Sequence, residues 1–315
     1  MKPFLFALII LGATAARSQN TEKFYDYNWK PCEKERASYY SNVTHTDSGW
    51  LRRDYFIYAK QLQMQALYAD EDCKFQNGYA YYFYANGKLS RVGKMLLNKK
   101  EGPWISYHSN GMMRDSAVYH DDVLEDTRLS WHRNGYLSDS LTKVDEGKFV
   151  EVGWYDNGSP SFAGYSINGK KTGTWKYFHH NGQLSATELY DDGILKTAEY
   201  FQEDGTKLVD TTLAHREHGF KKGKSDWQEY IDKKLYWPNG YNFNKEYVIT
   251  VGIEFTIDVD GKVKDAEVSI PFHPAFDEIA LTAVKNSPNW IPEVEHNRKI
   301  VIRFTQLVSF SIRDD

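Results

Sequence analysis

Cysteine, proline and long apolar runs are all scarce in this sequence. Its 315 residues include two cysteines, Cys32 and Cys73. Two thiols are too few for a disulfide-built scaffold or an all-cysteine zinc site. They can close one loop of about forty residues, worth roughly 4 kcal/mol in the chain-entropy model. Cys32 and Cys73 are therefore a disulfide candidate, with two free thiols as the alternative. The nine prolines are scattered, which leaves no stiff spacer of the Pro-rich kind. No cluster of lysine and arginine stands out against a formal charge of −4, and nucleic acid binding needs grouped cations. Beyond the first twenty residues no stretch approaches the ~20 apolar residues of a membrane helix, so no span is expected in the mature chain. Also missing are His-Glu-x-x-His, Gly-x-Ser-x-Gly and any glycine-rich phosphate loop. The expectation is a non-enzyme with no cofactor, no metal and no catalytic residues.

The amino terminus has the pattern of an export signal. Lys2 precedes an apolar stretch from Phe4 to Leu11, and small residues follow at Ala13, Ala15, Ala16 and Ser18. The apolar stretch is too short to cross a bilayer, which favours a cleaved signal over an anchor. Residues 1–18 are read as the signal, and the periplasm, free or beside the outer membrane, as the destination.

What is abundant is aromatic: 16% of the chain, with 23 Tyr, 17 Phe and 9 Trp, a composition that favours strands. Turn dipeptides recur at Asn86-Gly87, Asn110-Gly111, Asn134-Gly135, Asn157-Gly158, Asn181-Gly182 and Asp204-Gly205, in steps of 24, 24, 23, 24 and 23 residues. An aromatic stands just ahead of each later turn: Tyr107, Trp131, Trp154, Phe178 and Phe201. Asn-Gly is a strong hairpin signal because both residues tolerate positive φ. A second marker is Gly102-Pro103-Trp104 and Gly173-Thr174-Trp175. A constant period means stacked hairpins, each a strand, a tight turn, a second strand and a looser turn.

These units resemble the MORN-repeat variant of bacterial proteins, most clearly in Gly-Lys-Lys-Thr-Gly-Thr-Trp-Lys-Tyr-Phe-His-His-Asn-Gly-Gln-Leu at 169–184. The resemblance implies an elongated antiparallel sheet over residues 78–212 that acts as scaffold or contact surface. A degenerate unit is expected from Gly49-Trp50 to Tyr68, inside an N-terminal segment at 19–77. His108, His132 and His179 each fall two residues before a turn. Equivalent positions two strands apart are roughly 10 Å from one another, too far to share a zinc ion, so these histidines are read as solvated turn residues. Asp121-Asp122 and Asp191-Asp192 are read as solvated charges in the looser turns.

Composition changes after about Thr212. Ser225-Asp226-Trp227-Gln228 has the form of a capping box opening a helix with Trp227, Tyr230, Ile231 and Leu235 on one face. Ile249, Val251, Ile253, Phe255 and Ile257 alternate with Thr250, Gly252, Glu254, Thr256 and Asp258, the period of a strand with one buried and one wet face. Asp260-Gly261 turns the chain, and Val263 to Ile270 returns it. Pro274 opens a second helix carrying Phe276, Ile279, Ala280, Ala283 and Val284, and a last strand runs from Val301 to Ile312. The fold class is mainly β plus α+β, with two helices on a three-stranded antiparallel sheet closing the chain at 213–315.

The run Ile253-x-Phe255-x-Ile257-x-x-Asp260-Gly261-x-Val263, then Phe276-Asp277-x-x-Ala280 and Ser287-Pro288-x-Trp290-x-Pro292, resembles the TonB C-terminal domain. The resemblance implies a protein-binding domain that takes the TonB box of an outer-membrane transporter, with peptidoglycan as a further ligand. An open three-stranded sheet can accept an extended peptide along its edge. The candidate peptide-binding edge is Val301, Arg303, Phe304, Thr305 and Leu307, with Arg303 and Thr305 opposite the core. The sequence departs from an energy-transducing TonB in lacking a retained membrane helix and a Pro-rich spacer, so partner binding alone is carried over. The alternative is a structural envelope scaffold whose repeat array binds peptidoglycan or another protein. His215-Arg216-Glu217-His218 is read as a polar linker without a third ligand nearby in sequence.

Overall fold

The computed structural model describes residues 22–220, 224–241 and 248–311. The expected export signal and Ile312 lie outside them. Sixteen strands form one sheet. The first eight are β1 (Lys23–Tyr25), β2 (Tyr39–Thr46), β3 (Gly49–Phe56), β4 (Leu62–Tyr68), β5 (Gln76–Phe83), β6 (Leu89–Leu96), β7 (Lys99–Tyr107) and β8 (Met113–His120). The rest are β9 (Val123–Leu124), β10 (Thr127–Trp131), β11 (Leu137–Asp145), β12 (Lys148–Trp154), β13 (Pro160–Ile167), β14 (Lys170–Phe178), β15 (Leu184–Asp191) and β16 (Ile194–Tyr200). They form an antiparallel meander in chain order, except that the short β9 pairs only with β8. The sheet passes position 78 without a break, and the degenerate unit is the β3–β4 hairpin.

Both turn types differ from expectation in a physically informative way. At the Asn-Gly turns only the glycine has positive φ, from 79° at Gly87 to 96° at Gly111. The asparagine works through its side chain. Its Oδ1 accepts the N–H two residues on, as from Lys88 to Asn86 and from Gln183 to Asn181. Its Nδ2 donates to a carbonyl of the next unit: Asn86 to Ser109, Asn110 to Arg133, Asn134 to Asp156 and Asn181 to Glu203. A second rung lies beside the first. The Tyr84 hydroxyl donates to the Tyr107 carbonyl at 2.6 Å, and that of Tyr155 to Phe178 at 2.7 Å. His108, His132 and His179 place Nε2 2.8 Å from the carbonyls of Trp131, Trp154 and Phe201. These histidines are therefore inter-unit rungs, not solvated turn residues, and His179 is buried. The opposite turns are tight, not loose: Leu97-Asn98, Asp121-Asp122, Asn168-Gly169 and Asp192-Gly193 all have two successive positive φ angles. Asp122 Oδ1 accepts the Lys100 N–H at 2.7 Å, and Asp121 pairs with Lys99.

Cys32 and Cys73 carry free thiols. They lie in separate turns, and Cys73 Sγ is directed at the Glu71 carbonyl of its own turn, 3.7 Å away. Burial pushes both thiols up from their ordinary pKa.

The C-terminal domain contains α1 (Lys224–Lys234), β17 (Ile249–Ile257), β18 (Val263–Ile270), α2 (Pro274–Lys285), β19 (Glu293–Glu295), β20 (Arg298–Ile300) and β21 (Ile302–Phe310). Its main sheet has the order β18-β17-β21, all antiparallel. Val251, Ile253, Phe255, Phe276, Ala280, Val284 and Val308 form the core with Trp227 and Ile231 of α1. α1 starts at Lys224, so Ser225 lies inside it and not at the cap. α2 is capped by His273, whose Nδ1 accepts the Ala275 N–H at 3.1 Å, with Pro274 in the first turn. One expectation fails here and one element is new. β17 is buried on both faces, Thr250 and Thr256 included, because the polar face of this sheet is turned to the array. The β19–β20 hairpin is an additional element, closed by His296 and Asn297 at φ 53° and 57°.

Asp277 in α2 sits beneath the start of the helix, where its Oδ1 accepts the Phe272 N–H at 2.9 Å. Burial lifts its carboxyl to about 7 despite that bond. A folded-state value above the unfolded one means that the native protein binds more protons. Stability from this group is complete below pH ~4 and is lost as pH rises through 7. Asp277→Asn, which keeps the acceptor, is expected to be near neutral at pH 4 and stabilising at pH 8. Urea unfolding at the two pH values checks this, and an equal effect at both contradicts it.

Candidate interaction site

The tip of the β19–β20 hairpin is seated in the array, and Tyr58 packs against Phe272 and His273 at a second contact. The His296 imidazole lies flat on Tyr177 of β14, with centroids 3.5 Å apart and planes 7° from parallel. Its Nδ1 is 2.8 Å from Oε1 of Glu188 on β15. Asn297 donates from Nδ2 to the Phe201 carbonyl at 2.8 Å and from its backbone N–H to Ala214 at 2.8 Å. Arg298 is buried, and its Nη1 reaches the Ser161 carbonyl at 2.5 Å, Ser161 Oγ at 2.8 Å and the Tyr155 hydroxyl at 3.1 Å. Its guanidinium carbon stands over the Tyr177 and Tyr155 rings at 5.3 and 5.7 Å. These contacts are concentrated on Nη1, whereas the buried Nε has no hydrogen-bond partner.

The segment read as a free polar linker is stitched to the same hairpin. Arg216 and Val294 exchange backbone hydrogen bonds at 2.8 Å, and Gly219 and Ile291 do so at 2.7 and 3.1 Å. His218 Nδ1 is 2.7 Å from Glu293 Oε2. Folding thereby brings His215 to partners that sequence proximity does not suggest. Among the described residues, Glu188, His215 and His296 offer ligand atoms within 4.8 Å of one another. Each is already engaged: Glu188 Oε2 accepts from the Tyr190 hydroxyl at 2.6 Å, and His215 Nε2 is 3.0 Å from that of Tyr200. Burial pushes the Glu188 carboxyl up, but hydrogen bonds from His296 and Tyr190 outweigh it and hold the group below its usual range. Burial lowers the basicity of His296 and of Lys171 beside it. The donor set is that of a hydrogen-bonded seam, with Lys171 and Arg298 adding positive charge that a metal cation would have to oppose.

The five edge residues divide into three environments. Val301 and Leu307 are exposed, at 59% and 42%, and Thr305 is exposed beside them. Phe304 belongs to the core, with its ring centroid 4.5 Å from that of Phe255. Arg303 is partly exposed and already paired. Its Nε is 3.0 Å from Glu254, and it also pairs with Glu267, facing the array where Arg133 stands 3.8 Å from Asp265. Among the described residues β21 pairs with one strand, β17, over nine positions from Ile302 to Phe310. The outward backbone groups of that rim, ~30 Å long at 3.3 Å per residue, meet no other strand.

The same segment carries the comparison with known proteins. Residues 248–312 match the family described as Gram-negative bacterial TonB protein C-terminal. That family is a non-enzymatic, protein-interaction domain, and the match spans β17 to β21 without reaching the array. No curated protein matches the chain. The antiparallel hairpin sheet is consistent with MORN-like repeats, and no repeat family is identified.

Arg298→Met should keep the hairpin's bulk while leaving the Ser161 carbonyl without its donor, at a cost of about 1–3 kcal/mol. The expected result is a lower denaturation midpoint, with the C-terminal tryptophans Trp227 and Trp290 responding before the array. An unchanged midpoint contradicts the assigned role.

Proposed function

We propose that this is a periplasmic, non-enzymatic interaction protein in which β21 receives an extended peptide from a partner by strand addition, the partner being an outer-membrane transporter with a TonB-box-like segment. The observation that carries the reading is the unpaired outer rim of β21 in a domain matching the TonB C-terminal family. Exposed Val301, Thr305 and Leu307 flank the incoming backbone, whereas Arg303 and Phe304 hold the strand in place from its two faces. The N-terminal pattern of residues 1–18 supports export, and the hairpin array supports a MORN-variant scaffold that presents the domain. Among the described residues no helix is long and apolar enough to cross a membrane. Partner binding is the role assigned. A scaffold binding peptidoglycan through the array is the competing reading.

Strand addition predicts backbone protection in one place. Hydrogen–deuterium exchange of the full chain with an extended Thr/Val-rich peptide should slow the amides of residues 302–310, at a dissociation constant on the order of micromolar, or about −8 kcal/mol. Methylating alternate peptide nitrogens should abolish the effect. Protection absent from 302–310 at saturating peptide contradicts strand addition. Binding of cell-wall sacculi through the array alone then favours the scaffold.

A further inference from the structure

The array contains the same cup twice, 71 residues apart. In the second cup, Trp175 lies against Gly164, where an added Cβ would come within 2.1 Å of the indole, and its Nε1 donates to the Tyr165 carbonyl. Lys171 Nζ stands over Trp175 and Tyr190 at 4.7 and 5.3 Å. In the first cup, Trp104 lies against Gly93 with the same 2.1 Å approach, and its Nε1 donates to the Lys94 carbonyl. Lys100 Nζ stands over Trp104 and Tyr119 at 5.5 and 4.5 Å. The Trp–Gly contact, the lysine and the second tyrosine are repeated; the remaining lining is not.

The second cup is filled by the chain itself. Its carboxylate, Glu188, and its ring, Tyr177, receive the basic tip His296–Arg298. In the first cup Ala117 stands where Glu188 does, Ser106 where Tyr177 does, and Arg91 where Phe162 does. Arg91 is held over Tyr82 and Trp104 at 4.3 and 5.7 Å. Neighbouring arginines are neutralised, Arg114 by Asp115 and Arg128 by Asp139. Among the described residues neither Arg91 nor Lys100 has a carboxylate within salt-bridge distance. Both line a groove of about 740 Å³ between the array and the C-terminal sheet. That size suits a chain segment of a few residues.

We propose that the Trp104 cup docks an acidic polypeptide tip from a partner protein, its carboxylates bridging Arg91 and Lys100. A cup that lacks the carboxylate of Glu188 and carries Arg91 in place of Phe162 calls for an occupant of the opposite sign. The second cup shows that this shape takes a hairpin tip. Arginine stacked on aromatic rings keeps its N–H edge directed outward for a carboxylate. The site is remote in kind from strand addition at β21, since it reads side-chain charge and not backbone.

The test uses the full chain and a fluorescein-labelled eight-residue peptide with two Glu and two Asp flanking Asn-Gly, followed by anisotropy in low salt. Saturable binding is expected, weakened at least tenfold by the double substitution Arg91→Gln/Lys100→Gln. Ala117→Glu, which imports the carboxylate of the second cup, should likewise weaken it, and the double substitution keeps the test valid if that variant does not fold. A peptide with lysine in place of each acid should not bind. The proposal is overturned if the acidic peptide does not saturate, if its affinity is unchanged in the double variant, or if inorganic phosphate displaces it at equal concentration. The last result would mark a small-anion site.

Discussion

The imidazole of His296 resting on Tyr177, with Arg298 Nη1 bonded to Ser161 of β13 and to Tyr155 in the turn before it, seats the C-terminal domain on the array. Together with Tyr58 against Phe272 and His273, and Arg133 beside Asp265, this plug turns the polar face of the β18-β17-β21 sheet to the array, where Thr250 and Thr256 are buried. The rim of β21 is left at the periphery. With helices on one face and the array against part of the other, the sheet offers a partner its unpaired β21 edge and the exposed Val301, Thr305 and Leu307 beside it.

The array meets a different constraint. A single-layer sheet buries little, and its turns expose carbonyls that hairpin bonding alone does not satisfy. The repeated Asn Nδ2 donors and the Tyr or His rungs close those carbonyls from the preceding unit, so successive hairpins are tied along the turn rim as well as through strand pairing. This coupling gives a one-dimensional stack a stiffness that pairing of isolated hairpins lacks. The same rung is kept in units of 23 and of 24 residues, Asn134 reaching 22 residues ahead where Asn110 reaches 23.

Much of this was legible in the sequence because periodic signals survive without tertiary knowledge. The Asn-Gly spacing located the hairpins, the alternation from Ile249 to Ile257 located the central strand, and Pro274 located the second helix. What was not legible depends on contacts between distant segments. The alternation of β17 predicted a wet face because nothing local says that an array covers it. His296-Asn297 lacks the glycine that marks a tight turn, so the hairpin carrying the plug gave no signal. Glu188, His215 and His296 come together only after folding, and Arg303 was placed on the correct face without indication that Glu254 and Glu267 would claim it. The histidine rungs had one available clue: tyrosine occupies the same position at Tyr84 and Tyr155, and a shared ring with a polar tip suggests a common hydrogen bond more than common solvation.

The central claim is that the array and the C-terminal domain form one body held by the hairpin plug. Electron–electron double resonance between spin labels at Tyr136→Cys in an array turn and Lys285→Cys at the end of α2, with Cys32 and Cys73 replaced by serine, measures it directly. A single narrow distance distribution is the predicted result. A broad or multimodal distribution would mean that the domain moves independently of the array, and would contradict the account.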